Sequence, residues 1–498
     1  MLLQIFLLLI ISLIYFLYFY NDKISQSYWK RRGVKFHNSN FLGVFGKFFF
    51  GKRPMFEILS DIYKEHRNEP AVGLSGSFNP ALYVIDSTNI QHVLQQDFQS
   101  FNHRGFEIND GDLLADNILF MNGNRWKLMR QNMTSLFTSA KLKNMYYILD
   151  KSAVDFIAYL NKYPEKLNVN NFELMSQFCS VAIGASVFGV TSESVFESPI
   201  LNTTKILFKD SFKTNIKFTI VNISPWLGKI LGLKLFGEFE DFFIGAIKQI
   251  IRHREQENVE KHDFADKAVS LQKKGTMKDR DTGLELEPTD ELLAAQAFFF
   301  FNAGVEPSAA GIYAVLFELG RNPKHLQQVH EEIDASYKKH NGKFTYEAVM
   351  EMKHLENVLS EALRLHPPVG FLTRRCVRDT VLPVGNIPIE KETNILTPIF
   401  DIHYNPEVYP NPTVFDPDRF ANDTTLVNSS LYMPFGKGNR LCIGNRFARL
   451  QIKSGLIHIL RHYTVESKVL GDKITYKKAQ VQLRPNNLDI KLIPRTVN

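Results

Sequence analysis

Hydrophobic positions are almost unbroken at the start of the chain. Residues 1–20 read MLLQIFLLLIISLIYFLYFY, and only Gln4 and Ser12 are clearly polar. About 20 apolar residues in a helix cross the roughly 30 Å hydrocarbon core of a bilayer. Tyrosines gather at the end of this run, and aromatic rings favour the headgroup level there. The pattern predicts a single transmembrane anchor over residues 1–21.

Further along, the pattern becomes that of a large helical domain. From about residue 112 to residue 365, apolar positions recur at three- and four-residue spacing, which indicates amphipathic helices. Short alternating runs between residues 65 and 100 and over 381–400 predict small strands, and a helical pattern returns over 445–462. Because no Gly-, Ser- or Pro-rich linker follows residue 54, we predict one mainly α domain with small β-sheets (α+β) over residues 54–498.

Charge is concentrated directly after the predicted anchor. Between Asp22 and Arg53 there are eight basic residues and one acid, which accounts for the whole net charge of +7. A basic cluster on this side predicts that the domain stays in the cytosol, with 22–53 as a juxtamembrane linker. A cleaved signal peptide fits less well, because no basic residue precedes the apolar run. A formally neutral domain argues against nucleic-acid binding.

The most specific motif is FGKGNRLCIG over residues 435–444. A lone cysteine is usually a small buried hydrophobe. Cys442 differs because glycines flank it, a predicted helix follows it, and Arg440 places a cation two residues away, all of which favour a thiolate. This loop resembles the haem-ligand loop of the cytochrome P450 family. The resemblance implies that Cys442 is the axial ligand of haem b, that Gly444 permits a backbone hydrogen bond to the sulfur, and that Phe435 shields it.

Two further motifs extend the resemblance along the chain. Glu361 and Arg364 share a helix face at i and i+3, and Pro417-Asp418-Arg419-Phe420 follows before the cysteine loop. In the family this order implies a structural cluster, here Glu361, Arg364 and Arg419, that locks the core near the haem.

The other motif is Trp126-Lys127-Leu128-Met129-Arg130, whose first and last side chains share a helix face. The resemblance implies that Trp126 and Arg130 bind a haem propionate, together with Arg440 and one of Arg374 or Arg375. Counting from Arg364 slightly favours Arg375.

One segment departs from the family pattern. Ala303-Gly304-Val305-Glu306-Pro307-Ser308 resembles the helix that crosses the far face of the haem, where the family has an acid followed by Thr. Here Pro307 stands in place of the Thr, and proline offers neither a hydroxyl nor an N–H. We expect Glu306, Ser308 or an ordered water to carry the proton relay instead.

The resemblance implies a membrane-bound haem-thiolate monooxygenase of the endoplasmic reticulum. It would insert one oxygen atom from O2 into a hydrophobic small molecule, with electrons from NADPH through a flavoprotein reductase and no nicotinamide site of its own. Cytochrome b5 is a further candidate electron donor. Basic residues around the cysteine loop are candidates for docking the reductase: Lys437, Arg446, Arg449 and Lys453. Candidate pocket residues are apolar: Phe101, Phe106, Phe298, Phe301, Val369, Phe371 and Leu483.

Two alternatives stay open at the level of the sequence. Pro307 is compatible with a haem-thiolate isomerase or dehydratase, which rearranges a peroxide and needs neither a reductase nor a proton relay. A haem-binding sensor or carrier without turnover is the second alternative, although the complete set of motifs argues against it.

Overall fold

The computed structural model describes residues 2–16, 20–39, 42–76, 79–109, 111–168, 171–189, 196, 212–223, 225–257, 260–422, 425–478 and 481–496. The chain is 58% helical with small sheets, in a single domain, which confirms the predicted fold class. The α-helices span Leu2–Tyr15, Asn21–Lys30, Lys47–Phe49, Met55–Glu65, Ser87–Gln91, Gly123–Thr134, Ser139–Lys162, Asn171–Phe188, Phe212–Ile223, Pro225–Ile230, Glu240–Glu257, Phe264–Lys274, Asp290–Arg321, Pro323–Lys339, Tyr346–Glu351, Lys353–Leu365, Phe400–His403, Asp418–Asn422 and Asn445–His462.

A mixed five-stranded sheet forms the other part of the molecule. The strands are β1 (Lys35–Phe36), β2 (Ala71–Leu74), β3 (Ala81–Val84), β4 (Met277–Lys278), β5 (Glu285–Leu286), β6 (Phe371–Arg375), β7 (Thr380–Leu382), β8 (Ile387–Ile389), β9 (Asn394–Pro398), β10 (Tyr463–Val469) and β11 (Leu488–Pro494). The large sheet has the order β1-β2-β3-β9-β6, while β4-β5, β7-β8 and β10-β11 form two-stranded sheets. The β1–β2 and β3–β9 pairs are parallel, and the other two pairs of the large sheet are antiparallel.

The helix Asp290–Arg321, here called the long helix, runs through the main hydrophobic core. Thr289 caps its start, because the Thr289 hydroxyl oxygen accepts a hydrogen bond from the Leu292 N–H at 3.2 Å. A Cβ added at Gly311 would lie 2.6 Å from the Ile452 side chain, so this glycine allows the close approach of the helix Asn445–His462. That second helix follows the Cys442 loop. The core therefore fixes the loop relative to the long helix.

The N-terminal part of the domain differs from the predicted linker over residues 22–53. Trp29 is fully buried in the helix Asn21–Lys30, and a Cβ at Gly73 would lie 2.3 Å from its ring. The next strand, β1, pairs with β2, and Val44 is buried in a further core cluster. Much of this segment is therefore folded into the domain, because its apolar side chains cover the sheet. Part of the predicted basic cluster also forms ion pairs within the domain. Arg53, for example, lies 2.6 Å from Asp61.

The predicted anchor over residues 1–21 contains the helix Leu2–Tyr15, which has 14 residues. Residues 1 and 17–19 of the prediction lie outside the described residues. Across the described part of the chain, none of the helices combines the length and the apolar character needed to span a bilayer.

Candidate active site

The Cys442 loop is a tight turn between the 3₁₀ helix Gly438–Arg440 and the helix Asn445–His462. The Cys442 N–H donates to the Phe435 carbonyl at 2.9 Å, and the Gly444 N–H bonds to the sulfur. Gly438 has φ +71°, and a Cβ there would lie 1.9 Å from the Leu94 carbonyl oxygen. This turn therefore requires glycine at 438. Cys442 itself is accessible, yet enough protein surrounds it that desolvation raises the pKa of its thiol.

Four guanidinium groups, those of Arg104, Arg130, Arg374 and Arg440, interact electrostatically around this loop and are here called the guanidinium cluster. Arg130 donates to the Leu441 carbonyl at 2.8 Å, and Arg104 donates to the Arg440 carbonyl at 3.1 Å. Arg440 bonds to the Asn102 and Met121 carbonyls, each at 2.9 Å. All of these hydrogen bonds end on neutral carbonyl oxygens, so none of them compensates a positive charge.

Burial and the repulsion between like charges destabilise the charged form of the arginines in this cluster. Burial, followed by the charges of Arg104, Arg374 and Arg130, lowers the pKa of Arg440 to about 7. Burial and Arg104 lower the pKa of Arg374 to about 9. Within the described ranges, no member of the cluster forms an ion pair with a carboxylate. The Trp126 indole N–H is buried there and has no hydrogen-bond partner among the described residues. The Arg440 guanidinium lies 4.0 Å from the Trp126 ring centroid.

The structure separates Arg374 from Arg375, the residue favoured from the sequence. Successive side chains of a strand point to opposite faces, so adjacent residues of β6 enter different environments. Arg374 joins the guanidinium cluster, whereas Arg375 pairs with Glu107 and lies 3.7 Å from Glu392. Arg375 therefore already has carboxylate partners, and its placement does not match the predicted contact with a propionate.

Sequence reasoning missed Arg104. No motif surrounds it, and it reaches the cluster because residue 103 forms an isolated bridge with Arg375 on β6. The Arg104 carbonyl also accepts a hydrogen bond from the Thr373 hydroxyl at 2.7 Å. Only this tertiary pairing places Arg104 beside the cysteine loop, so no local signal in the sequence could have identified it.

Glu361, Arg364 and Arg419 lie together in the interior. Arg364 Nε and Nη2 donate to the two carboxylate oxygens of Glu361 at 2.7 and 2.8 Å, and neither side chain is exposed. Arg419 Nε lies 3.5 Å from Glu361 Oε1. Arg364 Nη1 also donates to the His403 carbonyl at 2.7 Å and to the Pro412 carbonyl at 2.8 Å. The three residues therefore join the helix Lys353–Leu365 to the chain that leads toward the cysteine loop.

His403 continues this connection. Its Nδ1–H donates to the Arg364 carbonyl at 3.0 Å, and its Nε2 accepts from the Met433 N–H at 3.0 Å. Because one ring nitrogen must donate and the other must accept, the imidazole is neutral. Burial, followed by the charge of Arg364, lowers the pKa of His403 to about 3.

On the long helix, the candidate relay residues have different surroundings. Glu306 Oε1 lies 3.4 Å from Arg484 Nη1, so this acid is held by a cation. Ser308 is buried, and Ala303 is exposed although most of its neighbours are not. The helix is continuous through Pro307, which cannot donate a backbone hydrogen bond to the Ala303 carbonyl.

Comparison with known proteins identifies the family. The cytochrome P450 family model matches residues 38–492. The chain is 32% identical over 496 residues to cytochrome P450 6B7 of Helicoverpa armigera, covering 97% of each chain. It is also 32% identical to cytochrome P450 6a2 of Drosophila melanogaster, over 92% of each, and to cytochrome P450 6k1 of Blattella germanica, over 88% of this chain and 87% of that one. The chain belongs to the cytochrome P450 family.

As a cytochrome P450, the protein is a monooxygenase with a haem-thiolate iron cofactor, and its electrons come from a redox partner. The guanidinium cluster fits this cofactor. Haem carries two propionates, and a buried group of cations without carboxylate partners is the donor set that such anions require. The unpartnered Trp126 N–H is a further donor of this kind.

The predicted reductase-docking residues of this cytochrome P450 fall into two groups. Arg446 is exposed and Lys437 is partly exposed. Lys453 is buried, and both it and Arg449 pair with Glu356, at 3.2 and 2.5 Å. Arg449 and Lys453 therefore stabilise the interior of this cytochrome P450, and their prediction as docking residues is not supported by their placement.

The neutral state of His403 gives a pH prediction for the stability of this cytochrome P450. The pKa of His403 falls from 6.5 in the unfolded chain to about 3 in the folded one. The neutral imidazole of His403 therefore contributes fully to the free energy of unfolding above pH 6.5. This contribution is lost as the pH falls from 6.5 toward 3, because the unfolded chain takes up a proton that the folded chain does not. At pH 4.5 the loss is about 2–3 kcal/mol. His403→Gln should flatten the thermal-unfolding profile between pH 4 and 6.5, whereas His253→Gln, at a largely exposed position, should leave it unchanged. Equal profiles for His403→Gln and wild type would contradict the assignment.

Proposed function

We propose that this cytochrome P450 oxidises a hydrophobic small molecule with electrons that an NADPH-dependent flavoprotein reductase delivers. The observation that supports a haem-loaded enzyme most directly is the guanidinium cluster beside Cys442. A cytochrome P450 in general uses a redox partner and hydrophobic substrates. The reductase, and cytochrome b5 as a second donor, are the finer part of the proposal.

In this proposal the Cys442 thiolate would hold the haem iron. The Gly444 N–H and the cations Arg130 and Arg104 favour the thiolate form of Cys442. Phe435 shields the sulfur, and the Arg449 guanidinium lies 5.3 Å from the Phe435 ring centroid. When bound, the haem supplies iron for dioxygen activation, and a thiolate ligand favours O–O cleavage.

The propionates would be held by the guanidinium cluster and the Trp126 N–H. We assign Arg374 to this role in place of Arg375, because Arg375 already has carboxylate partners. Glu361, Arg364 and Arg419 act structurally, since their bonds hold the chain that precedes the cysteine loop.

Glu306 and Ser308 are the proposed proton donors on the long helix. The Arg484 guanidinium lies 3.4 Å from the Glu306 carboxylate, so Arg484 positions this side chain. Pro307 contributes no hydroxyl. The presence of Pro307 in place of the family's Thr also favours a second candidate function, the rearrangement of a peroxide without a reductase.

The substrate class follows from the aromatic side chains. Phe106, Phe298 and Phe301 are joined through neighbouring rings, with centroids 6.3 Å apart for Phe106–Phe120 and 5.0 Å for Phe236–Phe298. Phe101, Phe371 and Leu483 are buried in the two clusters around the sheet. Ligand pockets lined mainly by apolar and aromatic side chains bind apolar ligands, so we propose a hydrophobic substrate.

We also propose that residues 1–21 anchor the protein in the endoplasmic reticulum membrane by a single pass, with the domain in the cytosol. Several large apolar side chains that the structure describes in the helix Leu2–Tyr15 are exposed, among them Phe6, Leu8 and Leu9. Deleting residues 2–20 should move the protein from the alkali-resistant membrane pellet to the supernatant, and protease added to intact microsomes should digest the domain. Unchanged pelleting would refute the anchor, and a protected domain would refute the cytosolic placement.

The first prediction for the site concerns Cys442. Cys442→Ser removes the thiolate, so the ferrous–carbonyl complex should lose the red-shifted band typical of thiolate ligation, together with turnover. The matched control is Cys376→Ser, because Cys376 is buried and donates to the Arg378 carbonyl at 2.9 Å, which a hydroxyl can also do. Full retention of the band in Cys442→Ser would disprove the assignment.

A second prediction separates the two arginines of β6. Hydrogen bonds to charged groups contribute about 1.5–3 kcal/mol, so Arg374→Gln should weaken haem retention about 10- to 100-fold. Arg375→Gln should have little effect on haem retention, because its partners are Glu107 and Glu392. Transfer of haem to apomyoglobin gives the dissociation rates. Faster loss from Arg375→Gln than from Arg374→Gln would reverse the assignment.

A third prediction concerns Pro307. Positioned proton transfer contributes about 10²–10⁴-fold to a rate, so Pro307→Thr should raise the product formed per NADPH and lower hydrogen peroxide release. Pro307→Ala restores the backbone N–H without the hydroxyl and is the control. Equal coupling in both variants would show that the missing hydroxyl is not limiting. If no variant consumes NADPH with reductase and a bound substrate, the peroxide-rearranging function is favoured.

A further inference from the structure

Three metal-ligating side chains meet outside the candidate active site, where β1 ends beside the helix Met55–Glu65. His37 Nδ1 lies 3.4 Å from His66 Nε2 and 3.3 Å from Glu65 Oε2, and His66 Nε2 lies 3.3 Å from Glu65 Oε1. All three distances therefore fall within one tenth of an ångström of each other. His37, Glu65 and His66 are here called the His-His-Glu group.

These separations match the spacing of ligands around zinc. Zinc binds histidine nitrogen and carboxylate oxygen at roughly 2.0–2.1 Å in tetrahedral geometry, which puts neighbouring ligand atoms about 3.3–3.4 Å apart. Two imidazoles and one carboxylate are also a ligand set that zinc accepts with a water in the fourth position. The two imidazoles approach different oxygens of Glu65, so the carboxylate would bind the ion through both oxygens or turn to present one of them.

The fold holds the three ligands from both sides. Glu65 is the last residue of its helix, and the His66 N–H donates to the Ile62 carbonyl at 3.1 Å. The His37 N–H donates to the Gly73 carbonyl of β2 at 3.0 Å. His66 is only 4% exposed, and its Nδ1 has no hydrogen-bond partner within the described ranges. Its Nε2 is the ring nitrogen that faces His37 and Glu65.

A second group of three metal-ligating side chains, with one histidine and two carboxylates, provides a contrast. Glu260, His262 and Asp266 also bring their ligand atoms together. There Asp266 accepts the Lys261 N–H at 2.8 Å and pairs with Arg254, so its carboxylate is already engaged. Among the residues that the structure describes, the carboxylate of Glu65, by comparison, pairs with the two imidazoles of its own group.

We propose that His37, Glu65 and His66 bind one zinc ion. The ion would join the end of β1 to the helix Met55–Glu65 and so fasten the edge strand of the large sheet. This site does not depend on haem or on the proposed reaction.

Zinc titration of the tag-free, haem-loaded full chain tests the proposal. After removal of metals with a chelator, zinc chloride is added against a chromophoric competitor, and bound zinc per chain is measured by mass spectrometry. We expect one tight site in the wild type. Loss of a supporting residue at zinc sites weakens binding about 10- to 100-fold, and loss of a direct ligand in Glu65→Gln or His37→Ala should weaken it at least as much.

The His262→Ala variant is the matched control and should retain the tight site. Glu65 is largely exposed, so Glu65→Gln should fold, and its unchanged haem spectrum would verify this. X-ray absorption at the zinc edge should show nitrogen and oxygen ligands. Equal zinc affinity in wild type and Glu65→Gln, loss of the site in His262→Ala, or sulfur in the zinc shell would overturn the proposal.

Discussion

Buried charged groups must form their hydrogen bonds inside the protein. This constraint applies to the Glu361–Arg364 pair. Burial of such a pair costs several kcal/mol per ion before the mutual attraction is counted. The structure offsets this cost with a bidentate contact, with Arg419, and with carbonyls of His403 and Pro412. These carbonyls can be supplied only if the chain from 403 to 412 takes one path. The need to satisfy two buried charges therefore dictates the course of the backbone ahead of the cysteine loop.

The guanidinium cluster differs from this ion pair, because the buried charges of its four arginines are all positive. Arg440 and Arg374 are as deeply buried as the ion pair, but their hydrogen bonds go to neutral oxygens and their charges repel one another. An anion bound among these charges would relieve their repulsion. In the proposed assignment, binding of the haem propionates would therefore stabilise this region, since a ligand that binds only the folded state stabilises it.

The contrast between these two groups also explains what could be predicted from the sequence. Cys442 and its glycines form one contiguous loop, and Glu361 and Arg364 share one turn of a helix, so local spacing was sufficient to bring them together. Counting along the sequence favours Arg375 over Arg374 as the propionate ligand. A shift of one residue in a strand exchanges its two faces, and the sequence does not set that register. Arg104 depends on a tertiary contact alone. The burial of Lys453 against Glu356 likewise arises from packing between two distant helices.

The close packing of Trp29 against Gly73 has a mechanical consequence. The helix Asn21–Lys30 is held to the sheet by a ring that leaves no space for even a methyl group on its neighbour. Five residues separate the end of the helix Leu2–Tyr15 from Asn21, and the six Cα–Cα steps from Tyr15 to Asn21 span at most about 20–22 Å. The start of the domain therefore stays within about that distance of the first helix. Because Trp29 is packed against Gly73, the large sheet is held within the same reach as the helix Asn21–Lys30.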